Sequence, residues 1–288
     1  MLIALDAMGG DHAPTETVKG ALLAIRETDV EVALVGLPDA LEAELARHGH
    51  SGSTPSVRVV PASEVVGMHE PPAQAVRQKR QSSINEALRL VKEGEASAIV
   101  SAGNTGAVVA AALLVLGRLG GIKRPALGAY FPTGRYGVLA LDVGANADCK
   151  PSYLVQFAHM GSIYRERVYG AKRPRVGLLS IGEEEGKGNA LTREVYGRLQ
   201  RSALNFVGNV EGKEIMNGEV EVVVSDGFTG NVAVKMARGW RSSCSASCER
   251  QSANASATAW EPSSWWTPCA GCAGAWTTQS TAGCPSWG

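Results

Sequence analysis

Tryptophan is absent from the first 239 residues of this 288-residue chain, and cysteine occurs there once, as Cys149. Net charge is absent as well. The 28 Lys and Arg residues balance 28 Asp and Glu residues, which removes the electrostatic argument for a nucleic-acid partner. No apolar run is long enough to cross a bilayer: the longest, Ala107 to Leu116, is about half of the roughly 20 residues a spanning helix needs. The start, Met1-Leu-Ile-Ala-Leu-Asp6, has no basic segment, and Asp6 cuts its apolar stretch short, so no secretory signal is expected. These absences lead to the expectation of a cytoplasmic protein; they leave peripheral contact with the inner face of a membrane open.

The familiar catalytic signatures are missing too. The G-x-x-x-x-G-K-[ST] spacing of a nucleotide-binding P-loop does not occur, so ATP is not expected. Gly9-Gly10 and Gly103-x-x-Gly106 do not make the G-x-G-x-x-G of a dinucleotide fold after the first strand. The histidines at 12, 48, 50, 69 and 159 show no metal-ligand spacing, and no metal is expected. There is no G-x-S-x-G nucleophile elbow. A lone Cys149 reads more readily as packing than as a nucleophile.

The missing residue types are concentrated beyond Gly239. All six Trp lie there, with five of the six Cys, among abundant Ser, Ala and Thr. Cys269-x-x-Cys272 has no second pair at zinc-site spacing. Reading on from the last base of the Trp276 codon gives a string compatible with DYAEYGGVPLLG, which has the composition of ordinary folded protein. The expected division is therefore a catalytic α/β domain over 1–239 and an aberrant, out-of-frame tail over 240–288.

What residues 1–239 do contain is one repeated grammar: an apolar strand, a loop of small residues, then a helix. The stretch from Ile99 to Leu114, IVSAGNTGAVVAAALL, shows it most plainly. Strands are expected at 2–5, 30–35, 57–60, 98–100, 136–141, 175–179 and 220–224. Helices are expected from Pro14 to Arg26, Pro38 to Arg47, Ala73 to Arg80, Ser83 to Glu93, Pro151 to Arg167 and Ala190 to Arg201. Further helices are expected after Gly106 and Asn231. Pro14 is read as the first residue of its helix and Ser83-x-x-Glu86 as a capping box. Strands alternating with helices, most of them continuous Val/Ile/Leu runs, predict a Rossmann-like, mostly parallel sheet with helices on both faces. In such a fold ligands sit outside the carboxyl ends of the strands. Five Gly-, Asn- and Asp-rich loops follow strands directly, and they are expected to converge on a single sheet edge.

Loops of this kind place backbone N–H groups at helix N-termini, where an anion is favoured. Lys187, between Gly186 and Gly188, is suited to lean towards a phosphate; the alternative is a solvated lysine balancing Glu183, Glu184 and Glu185. Asp6, Asp11, Asp142, Asp148 and Asp226 are suited either to a cation or, more commonly, to capping. Arg77, Lys79 and Arg80 make a basic helix face, read either as solvated or as facing an acidic protein.

Five motifs resemble the bacterial phosphate acyltransferases of phospholipid synthesis: DAMGGDHAP at 6–14, SAGNTGA at 101–107, DVGAN at 142–146, IGEEEGKGN at 181–189 and DGFTGN at 226–231. They occur in order, and the out-of-frame string resembles a late motif of the same family. The resemblance implies isocitrate/isopropylmalate dehydrogenase-like layering, also related to phosphotransacetylases. It implies transfer of a fatty acyl group from acyl carrier protein to inorganic phosphate, with no metal or cofactor. The acyl phosphate would go to a glycerol-3-phosphate acyltransferase, and the enzyme would be a homodimer touching the membrane peripherally. For site residues, that chemistry leads to the expectation of Lys187 on the phosphate or developing oxyanion, with Asn189, Asn231 and Asn104 as neutral donors. Ser101, Gly103, Thr105, Gly106, Gly188, Asp142, Gly144, Asn146, Asp226 and Gly227 would contribute backbone or side-chain contacts, and Asp6, Gly9, Gly10 and Asp11 the opposite wall. The rivals are a dehydrogenase or phosphotransacetylase-like enzyme on the same fold, and a non-catalytic sensor of phosphate or acyl carrier protein.

Overall fold

Alternating strands and helices build two sheets rather than the one expected. The structure is a computed structural model that describes residues 1–50, 54–133 and 137–239. The predicted tail, 240–288, and Tyr136 lie outside the described residues.

The first sheet joins β1 (Leu2–Asp6), β2 (Glu31–Gly36), β3 (Val57–Pro61) and β4 (Ala98–Ser101) in the order β3-β2-β1-β4. All its pairings are parallel. Its strands alternate, and both alternating sets are apolar. Val32 and Leu34 pack with α1 (Thr15–Glu27) and α2 (Pro38–Arg47), through Val18, Leu22, Leu41 and Leu45. Ala4, Ala33 and Val35 pack on the other face against Ala87 and Leu90 of α4 (Ser83–Lys92). A strand covered on both sides has no polar face to alternate with, which is why these strands read as continuous apolar runs. Between β3 and α4 lies α3 (Pro72–Gln78), and after β4 comes α5 (Thr105–Val115). These two helices share a cluster with α4 built on Val76, Ile84, Ala107 and Ala111.

The second sheet orders β5 (Gly128–Phe131), β6 (Val138–Leu141), β7 (Val176–Leu179), β8 (Phe206–Val210) and β9 (Val222–Val224) as β5-β6-β9-β7-β8. Only β5 runs antiparallel to its neighbour. One face carries α6 (Pro151–Tyr169) and α7 (Ala190–Gln200), through Leu154, Phe157, Val195 and Leu199. The other carries α8 (Gly212–Asn217) through Ile215, together with Ala233 of a helix over 227–239. The fold is α/β with mostly parallel strands and helices on both faces.

Several local expectations are corrected. Pro14 stands at the N-cap of α1, not inside it. Ser83 is the first residue of α4, and the N-cap, Ser82, makes no side-chain cap, so the capping box does not form. The strand β4 was expected to be buried; it is a sheet edge, and Val100 is 47% exposed. β5, β8 and α8 have no counterpart in the sequence reading. The first is short and begins at Gly128, the second is interrupted by Gly208 and Asn209, and α8 is too short to show a helical period. Among the described residues no helix is long and apolar enough to cross a membrane.

Candidate functional site

Two sheets mean two sets of strand-end loops, so the expected convergence of five loops on one edge is corrected. The loops after β1 and β4 meet at the first sheet. Those after β6, β7 and β9 meet at the second.

At the first sheet Asp6 is fully buried. Its Oδ2 accepts the Ser101 hydroxyl at 2.6 Å, and Ser101 Oγ also accepts the Gly103 N–H at 3.1 Å. A Cβ on Gly9 would come within 2.8 Å of the Gly103 nitrogen, so glycine lets the two loops touch. Burial raises the Asp6 carboxyl above its ordinary range; the hydroxyls of Ser101 and Ser83 and the N–H groups of Met8 and Gly9 pull it partly back. Gly10 lies against Ala102, while Asp11, Thr105 and Gly106 are exposed. Asn104, expected as a donor to phosphate, is held by backbone groups in this structure. Its Oδ1 caps α5 by accepting from Ala107, and its amide donates to the carbonyls of Met68 and Glu70. Nearby, Lys79 donates to Glu70 at 2.6 Å and to the Val65 carbonyl at 2.7 Å, which removes it from the basic face; Arg77 and Arg80 remain exposed. The Lys79 ammonium, with the Gly67 N–H, holds the Glu70 carboxyl below its ordinary range.

At the second sheet the loops after β6 and β9 interlock. The Asp142 carboxylate is fully buried and accepts the N–H groups of Leu127, Gly144, Ala145 and Asn146 at 2.7–3.1 Å, plus the Asn146 amide at 2.7 Å. These residues therefore shape the loop around Asp142 itself. Gly227 N–H donates to the Asn146 carbonyl at 2.8 Å, and Asn231 donates to the Val143 carbonyl at 3.2 Å. A Cβ on Gly227 would meet that Asn146 oxygen at 2.5 Å. Asp226 accepts both the N–H and the hydroxyl of Thr229 at 2.8 Å, which makes it a cap for the helix over 227–239. Cys149 Sγ donates to the Asn146 carbonyl. Burial, reinforced by Asp142, Asp226 and Asp148 and opposed by a backbone hydrogen bond from Gly227, pushes its thiol up to about 11. The shift favours the thiol over the nucleophilic thiolate.

The loops after β7 and β9 enclose a cleft of about 340 Å³. Its lining includes Ser180, Ile181, Gly188, Asn189, Asp226 and Thr229. Asn189 is the N-cap of α7, its Oδ1 accepting the Thr192 N–H at 2.9 Å. Gly188 has φ +98°, and a Cβ there would fall 2.1 Å from Thr192 Oγ1, so only glycine turns the chain into this helix start. Ser180, which the sequence reading passed over, lines the cleft with a buried hydroxyl that has no partner. Lys187 immediately precedes the lining residues Gly188 and Asn189 and is exposed. Its exposure fits the solvated alternative, but its ammonium does not pair directly with the glutamates it was to balance. Lys213 pairs with Glu183 at 3.2 Å, and Lys187 makes no ion pair among the described residues. A helix start, neutral donors and an unpaired ammonium are suited to holding an anion.

The family model described as a fatty acid synthesis protein matches residues 1–261. The phosphate acyltransferase of Heliobacterium modesticaldum is 55% identical over 239 residues, 83% of this chain and 71% of that protein. That of Desulfitobacterium hafniense strain Y51 is 57% identical over 241 residues, with the same coverage. Among solved structures, a phosphotransacetylase from Streptococcus pyogenes superposes with a TM-score of 0.60 at 18% identity, covering 83% of this chain and 82% of that one. A 4-hydroxythreonine-4-phosphate dehydrogenase from Klebsiella pneumoniae gives 0.52 at 15%, over 82% and 84%. At such identities these two structures share the fold alone. The family model spans most of the chain and the relatives are more than half identical over five-sixths of it: the chain belongs to the phosphate acyltransferase family.

Proposed function

We propose that this chain transfers a fatty acyl group from the thioester of an acyl carrier protein to inorganic phosphate. The observation that carries the reading is the cleft between the β7 and β9 loops, with Gly188 and Asn189 at the start of α7 and an unpaired Lys187 beside them. A phosphate oxygen attacks the thioester carbonyl carbon. The new C–O bond gives a tetrahedral oxyanion, which collapses as the C–S bond breaks and the thiolate leaves to take a proton from water. Phosphate is itself the nucleophile, so the protein supplies position and charge rather than an attacking side chain. Lys187 holds the phosphate or the oxyanion. Asn189 and Asn231 supply neutral donors, and the N–H groups at the start of α7 complete the grip. Thiolate is a good leaving group (a free thiol titrates at about 8.5), so no strong general acid is required.

The same reading makes the chain a cytoplasmic homodimer with peripheral membrane contact, whose acyl phosphate feeds a glycerol-3-phosphate acyltransferase. The test is acyl-phosphate formation from acyl-acyl carrier protein and inorganic phosphate, trapped as a hydroxamate. Lys187→Ala, folded by circular dichroism, should lower kcat/KM by about 10²–10³-fold, as loss of an oxyanion donor does. Near-normal turnover would remove Lys187 from the mechanism.

A further inference from the structure

The bend bearing Lys187 leaves β7 at Leu179 and rejoins regular structure at Ala190. One carbonyl gathers it. Glu184 O accepts the Lys187 N–H at 3.0 Å and the Asn209 side-chain amide at 2.8 Å. Asn209 belongs to β8, level with Leu178 of β7, and is 5% exposed. Its amide therefore reaches from the sheet edge to the loop of the neighbouring strand. A carbonyl has two lone pairs, so both donors are accommodated, and in a buried setting such bonds are strengthened. The other half of the same amide, Oδ1, is buried without a partner. Buried polar atoms are normally satisfied, and an orphaned acceptor costs stability. This side chain is poorly suited to stability alone and well suited to fixing one carbonyl. At its two ends the bend is held by the Ser180 N–H on the Val210 carbonyl and by Asn189 capping α7. Between them, Lys213 on Glu183 and Arg193 on the Gly188 carbonyl lie at the surface, where such contacts contribute little.

We propose that Asn209 is the positioning residue for Lys187: by anchoring the Glu184 carbonyl it sets the turn from which the ammonium reaches phosphate. The proposal rests on the role given to Lys187 above. Asn209→Asp keeps the shape and removes the donor; Asn209→Ala removes both without burying a charge, and serves if the first variant fails to fold. Each is made in the full chain, alone and together with Lys187→Ala, and steady-state kinetics are measured with inorganic phosphate and an acyl thioester. The expected result is a rise in KM for phosphate of about tenfold or more, with KM for the acyl donor unchanged, because a misplaced group loses its contribution steeply with distance. In the Lys187→Ala background the same substitution should add nothing. An unchanged KM for phosphate in a folded variant overturns the proposal. So does an equal loss in the Lys187→Ala background, which would mark a purely structural role. Normal kinetics for Lys187→Ala by itself would show that the role of Lys187 was wrong, and the proposal would fall with it.

Discussion

Asp6 and Asp142 are both buried at the ends of strands, and they differ in what reaches them. Asp142 accepts four backbone N–H groups and an amide. Asp6 has one short hydroxyl bond, from Ser101, and only weaker help from Ser83, Met8 and Gly9, so that its Oδ1 is buried without a partner of good geometry. Burial therefore raises the Asp6 carboxyl above its ordinary 3.8. The folded chain then keeps a proton that the unfolded chain releases, so this residue's contribution to stability falls as pH rises from 3.8 through the raised value. Asp6→Asn removes that slope. Its stability relative to the parent should climb across the window and level off above it, measured by urea unfolding at a series of pH values; a flat difference would refute the assignment. Gly230 is equally constrained, since a Cβ there would lie 2.0 Å from the Asp142 carbonyl oxygen. Gly230→Ala should cost about 1–3 kcal/mol, read from denaturant midpoints, as overpacking does. Residues inside motifs, such as Gly188 and Asp226, were legible in the sequence because strand-to-helix loops confine their types. Asn209 was not: a single polar residue in a strand has no spacing to mark it, and its partner carbonyl lies 25 residues away in sequence.

Among the elements, α6 was the easiest to read, because Pro151 opens it and Gly170 closes it in the left-handed conformation at φ 66°. Its packing was not legible. Gly161 faces the second sheet so closely that a Cβ would meet Leu141 Cδ1 and Val222 Cγ1 at 2.6 Å. Gly161→Ala gains in helix propensity, but it should still lose about 1–3 kcal/mol by forcing α6 away from β6 and β9. A gain in thermal stability would show that the helix has room to shift. β5 and β8 escaped the sequence reading for a related reason. Both are edge strands containing glycine, and what makes them strands is the neighbour they pair with rather than a period of their own.

At the scale of the molecule, the alternation of strands and helices foretold parallel sheets and covered faces, but not the number of sheets. Pairing partners are long-range, and nothing in a run such as Val222–Val224 says which strand it will join. The core follows the same division. The clusters around Leu34 and Ala87 belong to the first sheet, and those around Phe157 and Val223 to the second. Leu34→Ala should therefore cost about 2–5 kcal/mol. Hydrogen exchange should quicken in β1–β4 more than in β6–β9, as expected where cooperative units are local. Uniform quickening would mean that the two sheets open together.

The half-buried sulfur at position 149 bears on inhibition. Held as a thiol against the Asn146 carbonyl, with its pKa raised by burial, it offers haloacetamides and similar electrophilic warheads less thiolate than a free cysteine does. Cys149 is also absent from the lining of the cleft between the β7 and β9 loops, so blocking that cleft calls for a reversible, anion-shaped competitor.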